Sequence, residues 1–393
     1  MKISLLTAGK DPPYVLPLAS ILSSQGVTVE LVGGDSMRNA DVVTSGQVDY
    51  YNLRGEQDAP ANLPQKARRA VMYYLRLMGY ALRTEAKVFH IQWFYKFFVF
   101  ERTVLNLFFK ALGKKLVFTA HNVNAGARDG NDSLINRMSL KILYRLVDHI
   151  FVHTEKMRDE LTGGFGISAE KVTVIPFGVN NTVPNTGLSR GAARERLGIE
   201  EAEKVALFFG NIVPYKGVEH LIAALALLRD RRLTMRLVIA GRTSDCSNYW
   251  GTVQALIDEK AVGDQILEKL EFIPDEDIEV YLKASDLMVL PYNYIFQSGV
   301  LFLAFGFGLP VVATDVGSLR EDVIAGENGF LCRPEDPEDL ARQIEAYFDS
   351  DLHRDAEVHR QRIADETGRR HSWDEVGART RGVYGELLTH MRD

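Results

Sequence analysis

The chain has 393 residues, of which 46% are hydrophobic and 25% are charged, and its formal net charge is -6. This length fits two domains of ordinary size, and the composition is that of a globular protein rather than a disordered or fibrous one. The small negative charge gives no reason to expect a nucleic acid as partner, and the two isolated cysteines, Cys246 and Cys332, imply neither a disulfide framework nor a zinc cluster.

No segment of the sequence is predicted to be a secretory signal or a membrane span. The apolar run within residues 1–9 is followed by Lys10 and is too short for a secretory signal, so it is predicted to be the first strand of a domain. The longest uncharged apolar run, residues 300–313, is shorter than a membrane span and contains Gly306, Gly308 and Pro310. A reducing cytoplasm is the expected location.

The first half of the chain alternates strands with helices, which is typical of a parallel sheet with crossover helices. A strand is predicted at residues 3–7, a helix near 14–24 and a second strand at 27–32. Further strands are predicted at residues 88–92, 116–120, 149–152 and 172–175. Residues 1–180 are therefore predicted to form a doubly wound, Rossmann-like α/β domain.

The second half repeats this pattern after a polar segment. Residues 181–203 are predicted to be a linker that contains a short helix near 192–197. Residues 204–372 are predicted to form a second Rossmann-like domain, with strands at 205–209, 236–240, 270–273, 287–290 and 310–314 and a helix at 337–350. Residues 373–393 are predicted to be a C-terminal helix that packs back toward the N-terminal domain. Two such α/β domains facing each other bind ligands in a cleft at their strand ends.

Two elements of the second domain are typical of anion binding. A buried strand is followed by the turn at residues 210–217, which contains two glycines and carries Lys216 toward the carboxyl edge of the sheet. Further along the chain, Ser298, Gly299 and Val300 open a helix, and their N–H groups have no intrahelical partner. Backbone donors on one side and a cation on the other predict a pocket for a diphosphate.

Several short strings accompany these elements in a specific order, at residues 119–123, 152–155, 174–179 and 326–331. With them the sequence resembles family 4 glycosyltransferases of the GT-B fold over nearly its whole length. The resemblance implies that the C-terminal domain binds a nucleoside-diphosphate sugar, that the N-terminal domain binds a hydroxyl acceptor, and that the anomeric configuration is retained. It implies no metal and no cofactor besides the donor substrate.

The resemblance also assigns roles to individual residues. Lys216 is expected to neutralise the donor diphosphate and His121 to face the donor sugar near the reacting carbon, so these two are the catalytic candidates. His90 and Asn122 are candidates on the acceptor side, although His90 equally fits a structural histidine. The donor-binding candidates are Gly210, Asn211, Lys216, Gln297, Ser298, Gly299, Val300 and Leu301.

The chain departs from the family pattern at two places. Ile295 and Leu303 occupy positions where relatives usually have glutamates, one of which holds the ribose hydroxyls, so ribose recognition is expected from elsewhere. Residues 211–213 replace the family's arginine in the first turn of the domain, which leaves Lys216 without its usual cationic partner. We hypothesise that Gln297 substitutes for the first carboxylate, because an amide both donates and accepts hydrogen bonds.

Residues 66–115 combine eleven Lys or Arg with two acids and many aromatic residues. This mixture predicts peripheral contact with an anionic membrane, where a lipid-linked acceptor is found, although part of the aromatic content must be core. Asn328 and Gly329 are predicted to form only a tight turn.

The sequence thus predicts a retaining, metal-independent glycosyltransferase in polysaccharide or glycoconjugate biosynthesis. Ile295 and Leu303 leave open a different class, a catalytically silent subunit that binds a nucleotide-sugar. A nicotinamide-dependent dehydrogenase is not favoured, because residues 9–13, after the first strand, lack the glycine pattern that such a cofactor needs.

Overall fold

The computed structural model describes residues 1–55, 62–128, 132–179, 183–243 and 248–389. The chain forms two compact units. Unit 1 consists of Met1–Gly178 and His371–Asp393, and unit 2 consists of Val179–Arg370. Cys246 lies outside the described residues.

Thirteen strands are present in the described residues, and each unit has one sheet. The strands are β1 (Lys2–Leu6), β2 (Thr28–Gly33), β3 (Asp49–Asn52), β4 (Val88–Ile91), β5 (Lys115–Thr119), β6 (His149–Val152), β7 (Val172–Val174), β8 (Val205–Phe209), β9 (Arg236–Ala240), β10 (Ile266–Lys269), β11 (Leu287–Leu290), β12 (Val311–Thr314) and β13 (Gly329–Cys332).

The α-helices cover these sheets. They are α1 (Pro12–Ser24), α2 (Asp41–Thr44), α3 (Leu63–Arg83), α4 (Phe98–Phe100), α5 (Asn106–Ala111), α6 (Ala125–Arg128), α7 (Leu134–Leu146), α8 (Glu155–Asp159), α9 (Arg190–Leu197), α10 (Val218–Asp230), α11 (Tyr249–Lys260), α12 (Asp275–Ala284), α13 (Gly299–Gly306), α14 (Leu319–Asp322), α15 (Pro337–Asp349), α16 (Asp351–Arg354), α17 (Ala356–Arg370) and α18 (Trp373–Thr389).

The sheet of unit 1 has the order β3-β2-β1-β4-β5-β6-β7, and every pair is parallel. Parallel strands are connected by crossover helices, and these helices cover both faces of an all-parallel sheet. Strands β4 and β6 are accordingly buried at every position. Because β4, β5 and β6 are neighbours, the residues that follow them meet at one edge of the sheet. Those residues include Gln92, His121 and His153.

The C-terminal helix α18 is part of unit 1. Its residues Val376 and Tyr384 belong to the same buried cluster as Leu5 of β1 and Leu18 of α1. A Cβ atom on Gly377 would lie 3.0 Å from the side chain of Ile21, so glycine permits the close approach of α18 to α1.

The sheet of unit 2 has the order β10-β9-β8-β11-β12-β13 and is also parallel in every pair. The strand predicted at residues 270–273 is wrong: β10 lies earlier, at Ile266–Lys269, and pairs Ile266 with Leu237. It is an edge strand that is only half-buried, so it contains polar residues and lacks the apolar pattern of a buried strand. The strand was therefore predicted at the apolar residues that follow it. The edge strand β3 was missed for the same reason.

The described part of the predicted linker belongs to unit 2 and is bonded to the rest of that unit. Helix α9 is buried at Arg194, whose guanidinium donates to the carboxylate of Asp286 at 3.1 Å and to the carbonyl oxygen of Ala284 at 3.0 Å. These bonds tie α9 to the residues at the start of β11.

Asn328 lies in the predicted tight turn, whereas the prediction for Gly329 is wrong, because this residue is the first of strand β13 and pairs with Val311. Asn328 accepts a hydrogen bond from the N–H of Ile324 and donates one to the carbonyl oxygen of Asp322. A Cβ atom on Gly329 would lie 2.1 Å from the carbonyl oxygen of Val311, so only glycine allows β13 to start this close to β12.

Candidate active site

Lys216 is held at the carboxyl edge of the unit 2 sheet by two glycines. Gly210 follows β8 with φ 105°, and Gly217 ends the turn with φ 62° and begins α10. A Cβ atom on Gly217 would lie 2.2 Å from the carbonyl oxygen of Pro291, and one on Gly210 would lie 2.9 Å from Nζ of Lys216. Glycine is therefore required on both sides for the turn to fold and for the ammonium to occupy its place.

The ammonium of Lys216 is buried, and none of the described residues supplies a counter-ion. Lys216 is 6% exposed, and its Nζ lies 5.8 Å from the ring centre of Phe208 and 5.3 Å from that of Tyr292. Within the described ranges no carboxylate pairs with it. Burial lowers the pKa of Lys216 to about 8. A desolvated, unpaired cation of this kind is stabilised by any anion that reaches it.

The start of α13 lies beside the Lys216 turn. A Cβ atom on Gly210 would be 3.6 Å from Cγ2 of Val300, so the two predicted donor-binding elements meet within unit 2. Ser298 precedes α13 with an extended backbone, and its side chain forms no cap hydrogen bond. Among the described residues the N–H groups of Gly299 and Val300 have no acceptor, so they are available to a ligand next to a buried cation. The N–H of Leu301, in contrast, donates to the carbonyl oxygen of Ser298 at 3.1 Å.

The loop before α13 is held in place by hydrogen bonds from residues that follow β12 and from its last residue. Thr314 donates from Oγ1 to the carbonyl oxygen of Tyr292 at 2.6 Å, and Ser318 donates from Oγ to that of Phe296 at 2.6 Å. Gln297 lies in this fixed loop, and its buried Oε1 has no hydrogen-bond partner among the described residues. An unsatisfied buried acceptor is the exception in folded proteins, which supports Gln297 as a ligand-binding residue.

Ile295 and Leu303, the positions where relatives have glutamates, are both buried. A carboxylate at either position would need a partner to offset its desolvation, so the apolar residues fit their surroundings. Asn211, in contrast, is exposed.

An arginine that the sequence analysis did not predict lies on the chain segment paired with the Lys216 turn. Ile212 donates its N–H to the carbonyl oxygen of Arg242 at 2.9 Å, because the extension of β8 runs parallel to the extension of β9. Arg242 is exposed and follows Gly241 at the end of β9. Only the pairing of these two strands places an arginine next to the turn that lacks the family's own arginine.

His121 is held in a rigid environment at the carboxyl edge of the unit 1 sheet. Its Nε2 lies 3.0 Å from Oε1 of Gln92, and its Nδ1 lies 3.2 Å from Nε2 of His153. The ring of Trp93 stacks on it at 4.8 Å with an interplanar angle of 3°, and Tyr14 contacts it edge-on at 4.8 Å. Burial and the neighbouring imidazoles hold the pKa of His121 well below its usual value, so the ring is neutral near pH 7.

His90 lies deeper in the same cluster. It is fully buried, its Nδ1 lies 2.6 Å from the hydroxyl of Tyr384, and its Nε2 lies 2.7 Å from Oγ1 of Thr119 and 2.9 Å from Nε2 of Gln92. The structure therefore favours the structural interpretation of His90, because protein groups engage both nitrogens. Gln92 connects it to His121 by hydrogen bonds.

The orientation of the Gln92 amide sets the proton order of this cluster. Oε1 of Gln92 accepts from Nε2–H of His121, and Nδ1 of His121 then accepts from Nε2–H of His153. The other nitrogen of His153 makes only a long contact, 3.4 Å, to the carbonyl oxygen of Ile175. The amide of Gln92 thus selects the Nε2–H tautomer of His121.

Gln92, Trp93 and His153 were not predicted as site residues. The signal for them lies in the strand order, since each follows β4 or β6, the two neighbours of the strand that precedes His121. Asn122 follows His121 and is half-buried.

Two family models match the chain, Glycosyltransferase Family 4 over residues 13–183 and Glycosyl transferases group 1 over residues 189–365. The chain belongs to glycosyltransferase family 4. It is 29% identical over 285 residues to a D-inositol 3-phosphate glycosyltransferase from Corynebacterium efficiens, a match that covers 70% of this chain and 66% of the relative. It is 32% identical to the enzyme of that name from Corynebacterium diphtheriae, with 60% and 57% covered.

The chain thus spans between about half and two thirds of the length of these relatives. Among solved structures, a sucrose-phosphate synthase from Thermosynechococcus elongatus matches with a TM-score of 0.81 at 19% identity, covering 99% of this chain and 100% of that one. Anabaena HepE in complex with UDP and glucose matches with a TM-score of 0.75 at 19% identity, covering 98% and 100%. These matches confirm the predicted GT-B fold.

Proposed function

We propose that this chain is a retaining glycosyltransferase that moves a sugar from a nucleoside-diphosphate donor to a hydroxyl acceptor. The observation that carries the proposal is Lys216, a buried ammonium without a counter-ion in the described part of the chain, beside the unengaged N–H groups of Gly299 and Val300. Such a site fits a diphosphate better than a neutral ligand. The UDP and glucose bound to the related fold of HepE support a nucleotide-sugar as the donor.

The proposed chemistry follows from the charges that develop during transfer. As the sugar–phosphate bond breaks, negative charge accumulates on the leaving diphosphate, and Lys216 with the first N–H groups of α13 stabilises it without reorganisation. His121 is neutral and fixed, so it contributes a hydrogen bond to the sugar rather than a charge. Both of its nitrogens have protein partners, and bonding to a sugar hydroxyl requires one partner to be exchanged. We propose that the leaving phosphate accepts the acceptor's proton.

A thermal-shift panel with UDP-, GDP- and ADP-sugars tests donor binding, because a ligand of the folded state raises the melting temperature according to its concentration relative to its Kd. We expect one base to give a clear shift. Slow release of nucleoside diphosphate by the pure protein then separates an enzyme from a silent binding subunit. If none of the donors binds, the proposed function is wrong.

We also propose that transfer needs no metal and no cofactor besides the donor. Activity in excess EDTA should equal that in magnesium, and a loss in EDTA that magnesium restores would contradict this.

The relatives are named for D-inositol 3-phosphate. We propose that the acceptor of this chain is likewise a building block, one that is used to make a polysaccharide or another glycoconjugate.

We further propose that a face of unit 1 contacts an anionic membrane. Within the described residues, no helix combines the length and apolar character needed to cross a bilayer. Large apolar side chains are nevertheless exposed on the segment from Phe97 to α5 and on α7, which packs against it. They are Phe97, Val99, Val104, Leu107, Leu134, Ile135, Met138 and Ile142. Lys141 and Arg145 are exposed on α7 among them, which fits acidic lipid.

Sedimentation with liposomes tests this contact. We expect binding to vesicles with acidic lipid, weaker binding at high salt, and a clear loss in Phe97→Ser. Phe272→Ser, which removes a 70% exposed aromatic side chain from unit 2, is the matched control and should bind normally. Equal sedimentation with neutral vesicles, or with none, would contradict a membrane role.

A further inference from the structure

A cavity of about 440 Å³ opens in unit 1 next to His121. It lies between the ends of β4 and β5, the segment that follows β4, and helix α7. Its lining is mostly apolar or aromatic, with two cations and a few amides. The side chains that matter here are Phe94, Phe98, Phe118, Leu140, Lys10 and Arg102.

The apolar wall of this cavity is unsuited to a sugar alone. Phe94 and Phe118 stack with their ring centres 5.5 Å apart, and Leu140 of α7 lines the same cavity. Phe98 is 46% exposed although it lines the cavity, so part of its ring is left for a ligand to cover. Sugar hydroxyls need polar partners, whereas this wall offers contact to a ring or a hydrocarbon chain.

Two cations flank the exposed ring of Phe98. Nζ of Lys10 lies 5.7 Å from its centre, and Cζ of Arg102 lies 5.4 Å from it. Lys10 donates to the carbonyl oxygens of Phe94 and Tyr95, at 2.7 and 3.3 Å. These bonds fix the position of the ammonium but do not neutralise it.

Arg102 is fixed in the same way, by neutral partners. Its Nη1 donates to Oδ1 of Asn136 at 2.8 Å and to Oγ of Ser139 at 3.0 Å. Among the described residues no carboxylate forms an ion pair with Arg102 or Lys10. The acid nearest in sequence, Glu101, is buried and accepts from the N–H of Tyr95, and burial raises its pKa to about 6.

The wall therefore carries two desolvated positive charges against one buried carboxylate, that of Glu101. Burial lowers the pKa of both Lys10 and Arg102 although the charge of Glu101 acts in the opposite direction, so one positive charge is left without compensation. A phosphate or carboxylate next to Phe98 would supply that compensation, and the fork of an arginine suits both anions.

We propose that this cavity binds the acceptor through an apolar ring or chain that bears an anionic group. The apolar part covers Phe98, Phe94 and Phe118, the anion lies between Lys10 and Arg102, and the reacting hydroxyl is presented beside His121 and Asn122, which also line the cavity. The inference rests on the proposed function, and it narrows the acceptor to an anionic amphiphile rather than a neutral glycan.

Calorimetric titration of the full chain with four probes, of which maltose represents a neutral glycan, tests the two halves of the proposal. 1-Naphthyl phosphate contains both features, 1-naphthol lacks the anion, and inorganic phosphate lacks the ring. We expect 1-naphthyl phosphate to bind at least about tenfold more tightly than either fragment, as one charge-assisted hydrogen bond predicts. Equal binding of 1-naphthol would overturn the anionic part, and preferential binding of maltose would overturn the amphiphile altogether.

Variants locate the binding. Arg102→Gln should weaken 1-naphthyl phosphate about tenfold and leave 1-naphthol unchanged, whereas Phe98→Ala should weaken both. Arg38→Gln removes an exposed arginine of unit 1 outside both the cavity and the proposed membrane face, and it should change neither. Arg102→Lys keeps the charge and should retain part of the affinity even if Arg102→Gln unfolds. Unchanged binding in every cavity variant would overturn the assignment.

Titration with UDP in the same preparations keeps this inference separate from the proposed function. UDP binding belongs to unit 2 and should be unaffected by the cavity variants. A protein that binds 1-naphthyl phosphate in this cavity but no nucleotide would contradict the glycosyltransferase proposal and leave the cavity as a binding site.

Discussion

The strand ends of the two units both hold buried polar groups, but these groups are satisfied in different ways. In unit 1, His90, Gln92, His121 and His153 bond to one another in an unbroken chain. In unit 2, the ammonium of Lys216 and Oε1 of Gln297 have no partner within the described residues. A satisfied cluster fixes a geometry before any ligand arrives, whereas an unsatisfied one is completed by the ligand. We therefore expect unit 1 to hold His121 in a fixed position and unit 2 to bind the negative charge of the ligand.

Removal of the unpaired charge is the strongest test of this contrast. Burial lowers the folded-state pKa of Lys216 from 10.5 to about 8, so between these values the folded protein binds fewer protons than the unfolded chain. Below that window the desolvated charge lowers the free energy of unfolding. Lys216→Met should therefore raise the melting temperature of the ligand-free protein while reducing turnover on the order of 10²-fold or more.

Lys260→Met, at a half-buried lysine of the same unit that pairs with Glu259, is the control and should alter neither property. A Lys216→Met protein that is less stable would mean that the ammonium has compensation the structure does not show. One that keeps its turnover would remove Lys216 from the donor site.

The second test concerns the satisfied cluster of unit 1. Gln92→Leu removes the link between His90 and His121 and leaves the tautomer of His121 unselected. Because small misplacements of a catalytic group are costly, we expect turnover to fall roughly 10- to 100-fold, with UDP affinity unchanged. Steady-state kinetics with UDP titration separates the two effects. Unchanged turnover would show that the cluster only stabilises the fold, and thermal unfolding would then reveal its contribution.

The two units should also respond differently to pH. Lys216 must be protonated to hold a diphosphate, and its pKa in the free protein is about 8, so donor affinity falls as pH rises through this value. Between pH 7 and pH 9 the loss should be about tenfold, the decrease in the protonated fraction. The imidazoles contribute nothing in this window because burial holds the pKa of His121 and His153 below its usual value.

Lys216→Arg sharpens the pH test, because a guanidinium stays charged throughout this range. Its UDP affinity, measured by calorimetry, should be almost constant between pH 7 and pH 9. A variant that retained the tenfold loss would assign the titration to another group.

The sequence predicted the residues that depend on local structure. Apolar runs placed the central strands, and the glycines around Lys216 and at Gly299 marked two turns at one edge of a sheet. These features are visible because each needs only neighbouring residues, such as the glycine that leaves room for an ammonium at Gly210.

What the sequence did not predict depends on which strands are neighbours. Gln92 and His153 reach His121 only because β4 and β6 flank β5, and Arg242 approaches Ile212 only because β9 lies beside β8. The half-buried edge strands β3 and β10 lacked an apolar pattern for the same kind of reason, since a strand with one neighbour needs fewer apolar residues.

Arg242 provides the smallest predicted effect and the finest comparison, between an exposed and a buried cation at one sheet edge. An exposed charge is screened by salt and contributes little, so Arg242→Ala should weaken UDP binding only about two- to fivefold at about 0.05 M salt. The loss should disappear near 0.5 M salt, whereas the loss caused by Lys216→Met should persist. Lys260→Ala is the matched control. A salt-independent loss in Arg242→Ala would mean that the ligand buries this arginine, and that the missing family arginine has been replaced from the neighbouring strand in full.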